Sequence, residues 1–390
     1  MGAGLVDSLC LSVAWTVLML QVVTAYGLEA AGLCSAAMLM GVALSAPVAG
    51  WMASVLSGRR LLRVAAAAEG ALRVSVFMLL FTDAPVWLLA LCISTMNITA
   101  WTGYAGMRAE VAAVSSGAKA LTWYGTVVAA VEAVGIALAA FLPTRNGISP
   151  DSVLLVVMAA YLLALLPTAL IAAGSPVAAG GRHERGRQRR LVVSAPTLAG
   201  TTLMFLASAP TLLAVVLAAE LYGRAAVAPA AIAFTVGSLA APALTGRMPA
   251  QRTDHPALWV ACAFGMVVGW VLAPVHLAML CVAQLMSGLF MTSLEGLLDA
   301  SAAQRHPGQV TGALARATAA RALGSAAGTA LLPFLVLGVG LGATVTIIGV
   351  VLLAVGVGTT FWVRARAART GRLDVAAPIR PALPVMTEIG

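Results

Sequence analysis

The chain has 390 residues, of which 61% are hydrophobic and 9% are charged, and its formal net charge is +9. A soluble domain is about 45–50% apolar and about 25% charged, so this composition excludes a soluble fold. The same apolar content excludes intrinsic disorder. The 38 glycines show no three-residue period and the five cysteines form no paired framework, which excludes collagen and a disulfide scaffold. The sequence therefore predicts an all-α integral membrane protein.

Twelve apolar runs are long enough to cross a bilayer, because a spanning helix needs about 20 apolar residues. No basic residue precedes the first run, which is longer than the apolar part of a signal peptide, so we interpret it as the first span. The predicted spans are about 5–25, 32–56, 61–81, 86–106, 120–143, 151–174, 195–219, 225–245, 257–274, 277–298, 318–338 and 341–363.

Basic residues predict the orientation, because short cytoplasmic loops of membrane proteins are enriched in Lys and Arg. With the N-terminus inside, 19 basic residues fall in the cytoplasmic loops, the central segment and the tail, whereas only Arg145 and Arg224 fall outside. An even number of spans places both termini in the cytoplasm, which agrees with this bias. Topology thus explains the positive net charge, and we predict no nucleic-acid partner.

A polar segment divides the chain into two sets of six spans. Residues 175–194 form this segment and contain five Arg residues. We predict a first six-helix bundle over 1–174, a basic cytoplasmic linker over 175–194, a second bundle over 195–363 and a cytoplasmic tail over 364–390. The linker is either a flexible connection between the bundles or a surface that contacts anionic lipid.

Two pairs of similar segments indicate that the halves are repeats of one another. SAPVAG ends at Gly50 and the related APALTG ends at Gly246, an offset of 196 residues. Gly135 in GIALAAFLP corresponds to Gly328 in GTALLPFL, an offset of 193 residues. Parallel halves related by an axis along the membrane normal are a transporter architecture.

In this organisation the chain resembles the major facilitator superfamily of transporters. The resemblance has local support between the second and third spans, where part of the family's G-x-x-x-D-R-x-G-R-R signature is present. The matching residues are Gly50, Gly58, Arg59 and Arg60. The stretch that contains Arg108 and Glu110 resembles the family's connection between the fourth and fifth spans. The resemblance implies two six-helix bundles related by a pseudo-two-fold axis.

The chain departs from the family pattern at three places. Ser54 and Val55 stand where the signature has an acid and an arginine. The fourth span lacks the arginine that many proton-coupled members carry. In the fifth span, Gly135 is followed by Ile136, where drug–proton antiporters usually have proline. The resemblance therefore implies membership of the superfamily, but these motifs do not assign the chain to one of its subgroups.

Glu132 is the sharpest candidate for function, because an ionisable residue inside a bilayer costs about 2.5–3.5 kcal/mol and is a functional hypothesis by default. About twelve residues at 1.5 Å each separate it from Lys119, which places it roughly 18 Å into the membrane, near the midplane. A carboxyl group there can bind and release a proton during alternating access. The alternative is a neutral glutamate that only packs helices.

Glu69 and Arg73 lie four residues apart in the third span, so their side chains can meet on one helix face. We interpret them as an intrahelical ion pair that neutralises itself. A polar contact with the substrate or with a neighbouring helix is the alternative.

Charged residues at the inner ends of the spans predict a cytoplasmic gate. They are Glu295, Asp299, Arg316 and Arg321 in the second half, with Arg108, Glu110 and Lys119 at the equivalent place in the first. Ion pairs among them would form when the inner side closes and break when it opens. Solvated charges with no gating role are the alternative, because surface ion pairs contribute only about 0–1 kcal/mol.

Further polar residues within the spans are candidates to line a central cavity. They are Gln21, Asn97, Trp101, Thr126 and Gln284. Each of them can equally serve ordinary helix packing. The four histidines lack metal-ligand spacing, and the chain has no C-x-x-C pair, P-loop or G-x-S-x-G elbow. We therefore predict no metal, no cofactor and no enzyme activity.

These observations predict a monomeric secondary transporter that rocks two bundles about a central site. The apolar interior favours export of a small, fairly apolar organic molecule, a drug or a metabolite, in exchange for protons. The alternatives are an importer or facilitator of a small nutrient and, from another class, a non-transporting scaffold, sensor or enzyme. Arg outnumbers Lys 22 to one, which indicates a GC-rich bacterial genome and hence the bacterial cell membrane.

Overall fold

The structure is a computed structural model that describes residues 2–82, 84–114, 118–142, 150–171, 195–245, 255–305 and 310–374. Within these ranges the chain is helical apart from short turns and bends. The predicted linker at 175–194 and the tail beyond 374 lie outside the described residues. The boundaries of the two predicted bundles therefore stay predictions.

The first two predicted spans form one rod, α1 (Gly2–Val55), which bends at Gly27. Gly27 has φ 84° and ψ 179°, a conformation that glycine adopts without the steric cost that a Cβ would add. The connection predicted over residues 26–31 is therefore wrong in length. One glycine suffices for the change of direction, and helix continues on both sides of it.

The other helices of the first half follow the prediction closely. The third, fourth and fifth spans are α2 (Gly58–Phe81), α3 (Val86–Val114) and α4 (Ala118–Ala140), and the sixth is α5 (Pro150–Leu163) with α6 (Leu166–Ile171). α3 continues past the predicted end at 106, so the charged stretch that follows the membrane part is also helical.

The second half begins with a broken helix. The seventh span consists of α7 (Ala195–Ala207), α8 (Ala209–Leu212) and α9 (Ala214–Tyr222), with interruptions at Ser208 and Leu213. The continuous span predicted here is therefore wrong. Pro210 has no N–H for the carbonyl of Leu206, and its ring crowds the preceding turn, which explains the break.

The remaining helices complete the second half. A 3₁₀ turn (Arg224–Ala226) leads into α10 (Val227–Thr245). The next span consists of α11 (Pro256–Val268) and a 3₁₀ turn (Gly269–Val271). The last three helices are α12 (Leu277–Arg305), α13 (Val310–Val339) and α14 (Leu341–Asp374). α14 continues to Asp374, so the first part of the predicted tail at 364–390 is helical. Ala and Arg are strong helix formers and are frequent in this segment, so the helix continues beyond its apolar part.

The helices of the described part are consistent with the twelve predicted spans. Eight are long and apolar enough to cross a membrane, and one of these is α1, which holds two spans. Three shorter apolar helices, at Ala130–Ala140, Thr197–Ala207 and Pro256–Val271, belong to the fifth, seventh and ninth spans. Trp51 and Trp87 lie near opposite ends of the bundle and each exposes 64% of its surface, as expected for aromatic residues at the two membrane interfaces.

The two halves repeat the same turn between their first and second spans. Gly27 makes the turn in the first half, and Gly223 makes it in the second with φ 81°. These glycines are 196 residues apart, the offset that relates Gly50 to Gly246. The repeat inferred from short sequence matches thus extends to backbone conformation.

The tyrosine before each of these glycines makes an equivalent hydrogen bond. Tyr26 donates to the carbonyl of Ala84 at 3.3 Å, and Tyr222 donates to the carbonyl of Ala273 at 2.6 Å. Both acceptors begin an Ala-Pro-Val segment between the third and fourth spans of their own half. This pair of contacts is a repeat that the sequence analysis missed.

Glycines also mark equivalent helix crossings in the two halves. Gly41 lies against the carbonyl of Ser94, where α1 crosses α3, and Gly237 lies against the carbonyl of Leu285, where α10 crosses α12. Small residues let transmembrane helices approach closely, because a side chain would hold the backbones apart. The two halves are therefore six-helix bundles built on one plan.

The crossing of α10 and α12 gives a direct test of this packing. Gly288 lies against the carbonyl of Phe234, so a valine side chain there would meet backbone, at a cost of about 1–3 kcal/mol. We expect Gly288→Val to lower the thermal unfolding midpoint of the purified protein. Gly296→Val is the control on the same helix, since no atom lies within 4 Å of its added Cβ. Equal midpoints for the two variants would contradict the close crossing.

Three clusters of buried apolar side chains hold the bundles together. The largest lies in the second half around Trp259 and Trp270. The other two lie mainly in the first half, one around Met19 and Ile93 and the other around Phe77. Each half thus has a core of its own, and Leu20 and Ala140 of the first half join the largest cluster.

The halves meet mainly along α1 with α13 and α4 with α10, and α1 also contacts α9. Gly32 of α1 lies against Pro333 and against the carbonyl of Thr329 in α13. Ile136 and Ala140 of α4 pack with the second-half core. These contacts lie toward the end of the bundle that holds the two repeated glycine turns, which is the predicted outer end.

Candidate functional site

Glu132 lies on α4, a helix that contacts both α1 and α10. Gly135, three residues further on, packs against the Leu9 carbonyl of α1, and Ile136 packs against the core of the second half. Residues three and four apart share a helix face. Glu132 therefore lies between the surface of α4 that faces α1 and the surface that faces the second half.

The carboxyl group of Glu132 is half-buried at this junction. Among the side chains that the structure describes, none forms an ion pair or a hydrogen bond with it. The group differs in this respect from the other acids inside the first half, which have a cationic partner. Within the described part of the chain, this carboxyl is thus left without a protein partner at the junction of the two halves.

The predicted cavity residues are not gathered around Glu132. Asn97 is buried inside the first half, where its amide donates to the Ile93 carbonyl at 2.9 Å and its Cβ lies beside Gly41. Gln284 is buried inside the second half, and its amide nitrogen has no hydrogen-bond partner among the described residues. These two amides thus lie inside separate bundles.

The other cavity candidates are less informative. Gln21 is half-buried on α1. Trp101 is 39% exposed and packs edge-on against Tyr104, with 5.4 Å between ring centres. The side chain of Thr126 lies outside the described part of the chain. A role in substrate contact stays a prediction for all five residues.

A charged cluster lies inside the first half and is centred on Arg73 of α2, which is fully buried. Its Nε donates to Glu69 at 3.0 Å, and its Nη2 donates to Glu69 and also to Asp7 of α1, at 2.7 Å to Asp7. Its Nη1 donates to the backbone carbonyl of Tyr161 in α5, and the guanidinium lies 3.5 Å from the centre of that ring. Arg73 therefore joins three helices.

The cluster is more than the intrahelical pair that the sequence suggested. Glu69 and Arg73 do meet, but Asp7 supplies a second carboxylate to the same guanidinium. With both acids ionised, the three side chains carry a net charge of −1. Sequence reasoning missed Asp7, although it is the only charged residue in the first predicted span.

A small cavity of about 30 Å³ opens beside this cluster. Asp7 and Glu69 line it together with Ser8, Tyr104 and Thr168, so its walls come from α1, α2, α3 and α6. A polar space of this size is large enough to hold water. The carboxylates of the first half therefore border a place that water can occupy.

The predicted gate is only partly assembled. Arg321 donates to Asp299 at 2.6 Å and packs on Gly200 of α7. Among described side chains, Glu295 and Arg316 form no ion pair. Arg321 and Asp299 belong to neighbouring helices of one half, so their ion pair cannot by itself hold the two halves together. A gating role for these residues stays a prediction.

The residues of the predicted signature lie at the end of α1 and the start of α2. Gly58 is buried, whereas Gly50, Arg59 and Arg60 are exposed. Arg108, Glu110 and Lys119 belong to α3 and α4, but their side chains lie outside the described part. Within the described ranges, no three His, Cys, Asp or Glu side chains lie together as a metal site would need.

Comparison with solved structures identifies the fold. The inward open xylose transporter XylE from E. coli superposes with a TM-score of 0.66 over 91% of this chain and 93% of that chain, at 13% identity. A D-xylose-proton symporter gives a TM-score of 0.68 over 92% of this chain and 95% of that chain, at 14% identity. A bacterial homologue of the iron transporter ferroportin, in an inward-facing state, gives a TM-score of 0.61 over 91% of this chain and 97% of that chain, at 14% identity.

The chain has the major facilitator fold. The prediction of an all-α membrane protein with this fold is confirmed, and the described helices are consistent with the predicted twelve spans. These similar structures are of membrane transporters, not of enzymes. No family model matches the sequence. No curated protein matches it either.

The two observed features have different places in this fold. Glu132 lies where the two halves meet. The Arg73 cluster lies within the first half, among α1, α2 and α5.

Proposed function

We propose that the protein is a secondary transporter that moves a small organic molecule across the bacterial cell membrane by alternating access. The major facilitator fold supports this proposal, as does the meeting of the halves near one end of the bundle through Gly32 and Pro333. Two of the similar structures are inward-open or inward-facing. The predicted topology places both termini in the cytoplasm, so the closed end is the outer one.

The proposed reaction is export of a small, fairly apolar molecule in exchange for protons. Glu132 carries this proposal, because it is an unpaired, half-buried carboxyl among the described side chains at the junction of the halves. Rocking of the bundles would alternately enclose this group in apolar surroundings and expose it to water, which favours proton uptake and release in turn. The protein would work as a monomer, because one chain supplies both halves.

Proton-coupled import of a small polar solute is the second candidate. One similar structure is a proton symporter for D-xylose. The second half also has a buried polar seam, in which Ser208 donates to Ser325 at 3.0 Å and the hydroxyls of Thr211 and Thr329 have no partner in the described part. A polar solute entering between α8 and α13 could satisfy those hydroxyls.

Everted membrane vesicles with an acidified lumen and a pH-sensitive dye test the proposed reaction. Antibiotics, dyes, sugars and small metabolites are added one at a time. For export by antiport, we expect an apolar compound to dissipate the gradient, and Glu132→Gln to abolish that response at equal expression. The glutamine amide cannot bind the transported proton as the glutamate carboxylate would, but it keeps the shape of the side chain.

Glu29→Gln is the matched control, because Glu29 is an exposed carboxyl near the outer turn of α1. It should leave the response intact. Full activity of Glu132→Gln would overturn the coupling role. A response to sugars instead of apolar compounds, with protons moving in the same direction as the sugar, would favour the import candidate.

A further inference from the structure

Most hydroxyl groups in the described spans bond to their own helix. Thr201, Thr235 and Thr344 are examples, and each donates to the carbonyl four residues earlier, at 2.8–3.0 Å. Thr211 and Thr329 differ, because both are more than nine-tenths buried and their hydroxyl groups have no hydrogen-bond partner among the described residues. An unsatisfied hydroxyl group inside a membrane bundle is costly. A ligand that is not part of the protein would remove this cost.

The helices that carry these two threonines cross in backbone contact. Gly324 of α13 lies against the Thr201 carbonyl of α7, and Gly328 lies against the Phe205 carbonyl. The second contact is four residues beyond the first on each helix, so α7 and α13 run in the same direction. An organic solute can enter such a crossing only if the helices separate, whereas a small ion has no such requirement.

The register of the crossing gathers four hydroxyl groups. Ser208, between α7 and α8, and Ser325 of α13 have their Oγ atoms 3.0 Å apart. Thr329 follows Ser325 by four residues, which places it one turn further along the same face of α13. Thr211 likewise follows Ser208 by three residues. Because the helices run parallel, the two threonines lie at the same level, beside the serine pair. These four residues make up the polar seam.

The interruption of the seventh span adds carbonyl oxygens to the polar seam. Pro210 has no N–H for the Leu206 carbonyl. The helical hydrogen bonds also stop between α7 and α8, so the Phe205 carbonyl has no helical donor in the described part, and it points at Gly328 of α13. A carbonyl oxygen only accepts hydrogen bonds, and the C-terminal end of a helix carries a negative partial charge. This end of the seam therefore favours a positive charge.

We propose that the polar seam binds a small monovalent cation, for which sodium is the probe. Its ligands are the hydroxyl oxygens of Ser208, Thr211, Ser325 and Thr329 and the carbonyl oxygen of Phe205. Where transmembrane helices of transporters are discontinuous, unwound backbone carbonyls coordinate sodium. Calcium and magnesium draw on carboxylates, so a set of neutral oxygens suits a single positive charge. The ion satisfies the threonine hydroxyl oxygens and leaves α7 and α13 in contact.

The polar seam lies next to the boundary between the halves. The Thr329 carbonyl lies against Gly32 of α1, and α9, which continues the seventh span, also contacts α1. A bound cation would therefore link the seventh span to α13 at the place where the second half meets α1. This site goes beyond the proposed function, because Glu132 lies on α4 and takes no part in it.

Equilibrium binding of radioactive sodium to the purified full-length protein, without any substrate, tests the site. We expect saturable binding that unlabelled sodium displaces and that choline, at equal ionic strength, does not displace. Ser325→Ala and Thr329→Val should each weaken the binding by at least about tenfold, because each variant loses one ligand oxygen. Thr329→Ser keeps that oxygen and should retain the affinity of the unmodified protein.

Thr344→Val is the matched control, because Thr344 is a buried threonine of α14 whose hydroxyl group already donates to the Gly340 carbonyl at 2.8 Å. It should bind sodium as the unmodified protein does, and so should Glu132→Gln. No saturable binding in the unmodified protein would show that water alone satisfies the seam and would overturn the proposal. Equal affinities of Thr329→Val and Thr344→Val would overturn it too. Normal sodium binding together with full transport by Glu132→Gln would leave the cation site standing and refute the coupling role of Glu132.

Discussion

Arg73→Met is expected to destabilise the protein by about 3–5 kcal/mol, the usual consequence of removing one partner from a buried ion pair. Asp7 and Glu69 would be left facing each other without a cation, and the contacts that join α1, α2 and α5 would be lost together. Methionine keeps most of the side-chain volume, so the loss would reflect charge and hydrogen bonding more than a cavity. The fraction of purified protein that stays monodisperse after graded heating measures the effect.

Arg63→Met is the control for this substitution, because Arg63 is an exposed arginine on the same helix. It should leave the heating curve unchanged. A variant that combines Arg73→Met with Asp7→Asn and Glu69→Gln should recover part of the stability, since it buries no unpaired charge. An Arg73→Met protein as stable as the unmodified one would contradict a structural role for the cluster.

Gly32→Leu is expected to block transport while leaving each half folded. Gly32 lies against Pro333 and the Thr329 carbonyl across the boundary between the halves, so a leucine there would hold α1 and α13 apart. Overpacking of about 1–3 kcal/mol would oppose only the state in which this end is closed. A free energy of that size shifts a two-state population by about 5–150-fold.

Distances between spin labels at the outer ends of the halves report this shift. Labels on Glu29→Cys and Ala225→Cys, in a background without the five native cysteines, would show a longer distance after Gly32→Leu. Gly338→Leu is the control on α13, because no atom lies within 4 Å of its added Cβ. An unchanged distance together with normal flux would show that this contact does not close the outer end.

Features of single helices were predictable from the sequence. The approximate limits of most apolar spans and the repeat between the halves follow from local patterns. The errors arose where the hydropathy pattern is insensitive to backbone conformation. A turn of one residue at Gly27 and a break at Pro210 leave the apolar pattern intact, so both were missed although the responsible residues were visible.

The candidate site was harder to predict, because it depends on contacts between distant residues. Glu132 was identified by its charge alone, and the structure adds its place between α1 and the second half. Asp7 went unnoticed because a single acid near the start of a span also suits a residue at the membrane surface. Two of the predicted gate residues, Asp299 and Arg321, do form an ion pair, but they are linked within one half.

The sequence by itself determined that this is a helical membrane protein with two related halves, and its apolar runs suit twelve spans. Bilayer thickness imposes a length and a composition on every span, so this information is local and can be read directly. Only the tertiary structure decided that Asp7 meets Arg73, 66 residues away, and that Glu132 lies where the halves join. Those facts depend on which helix faces pack together, and a chain that is apolar on nearly every face of its helices gives no amphipathic pattern from which to predict them.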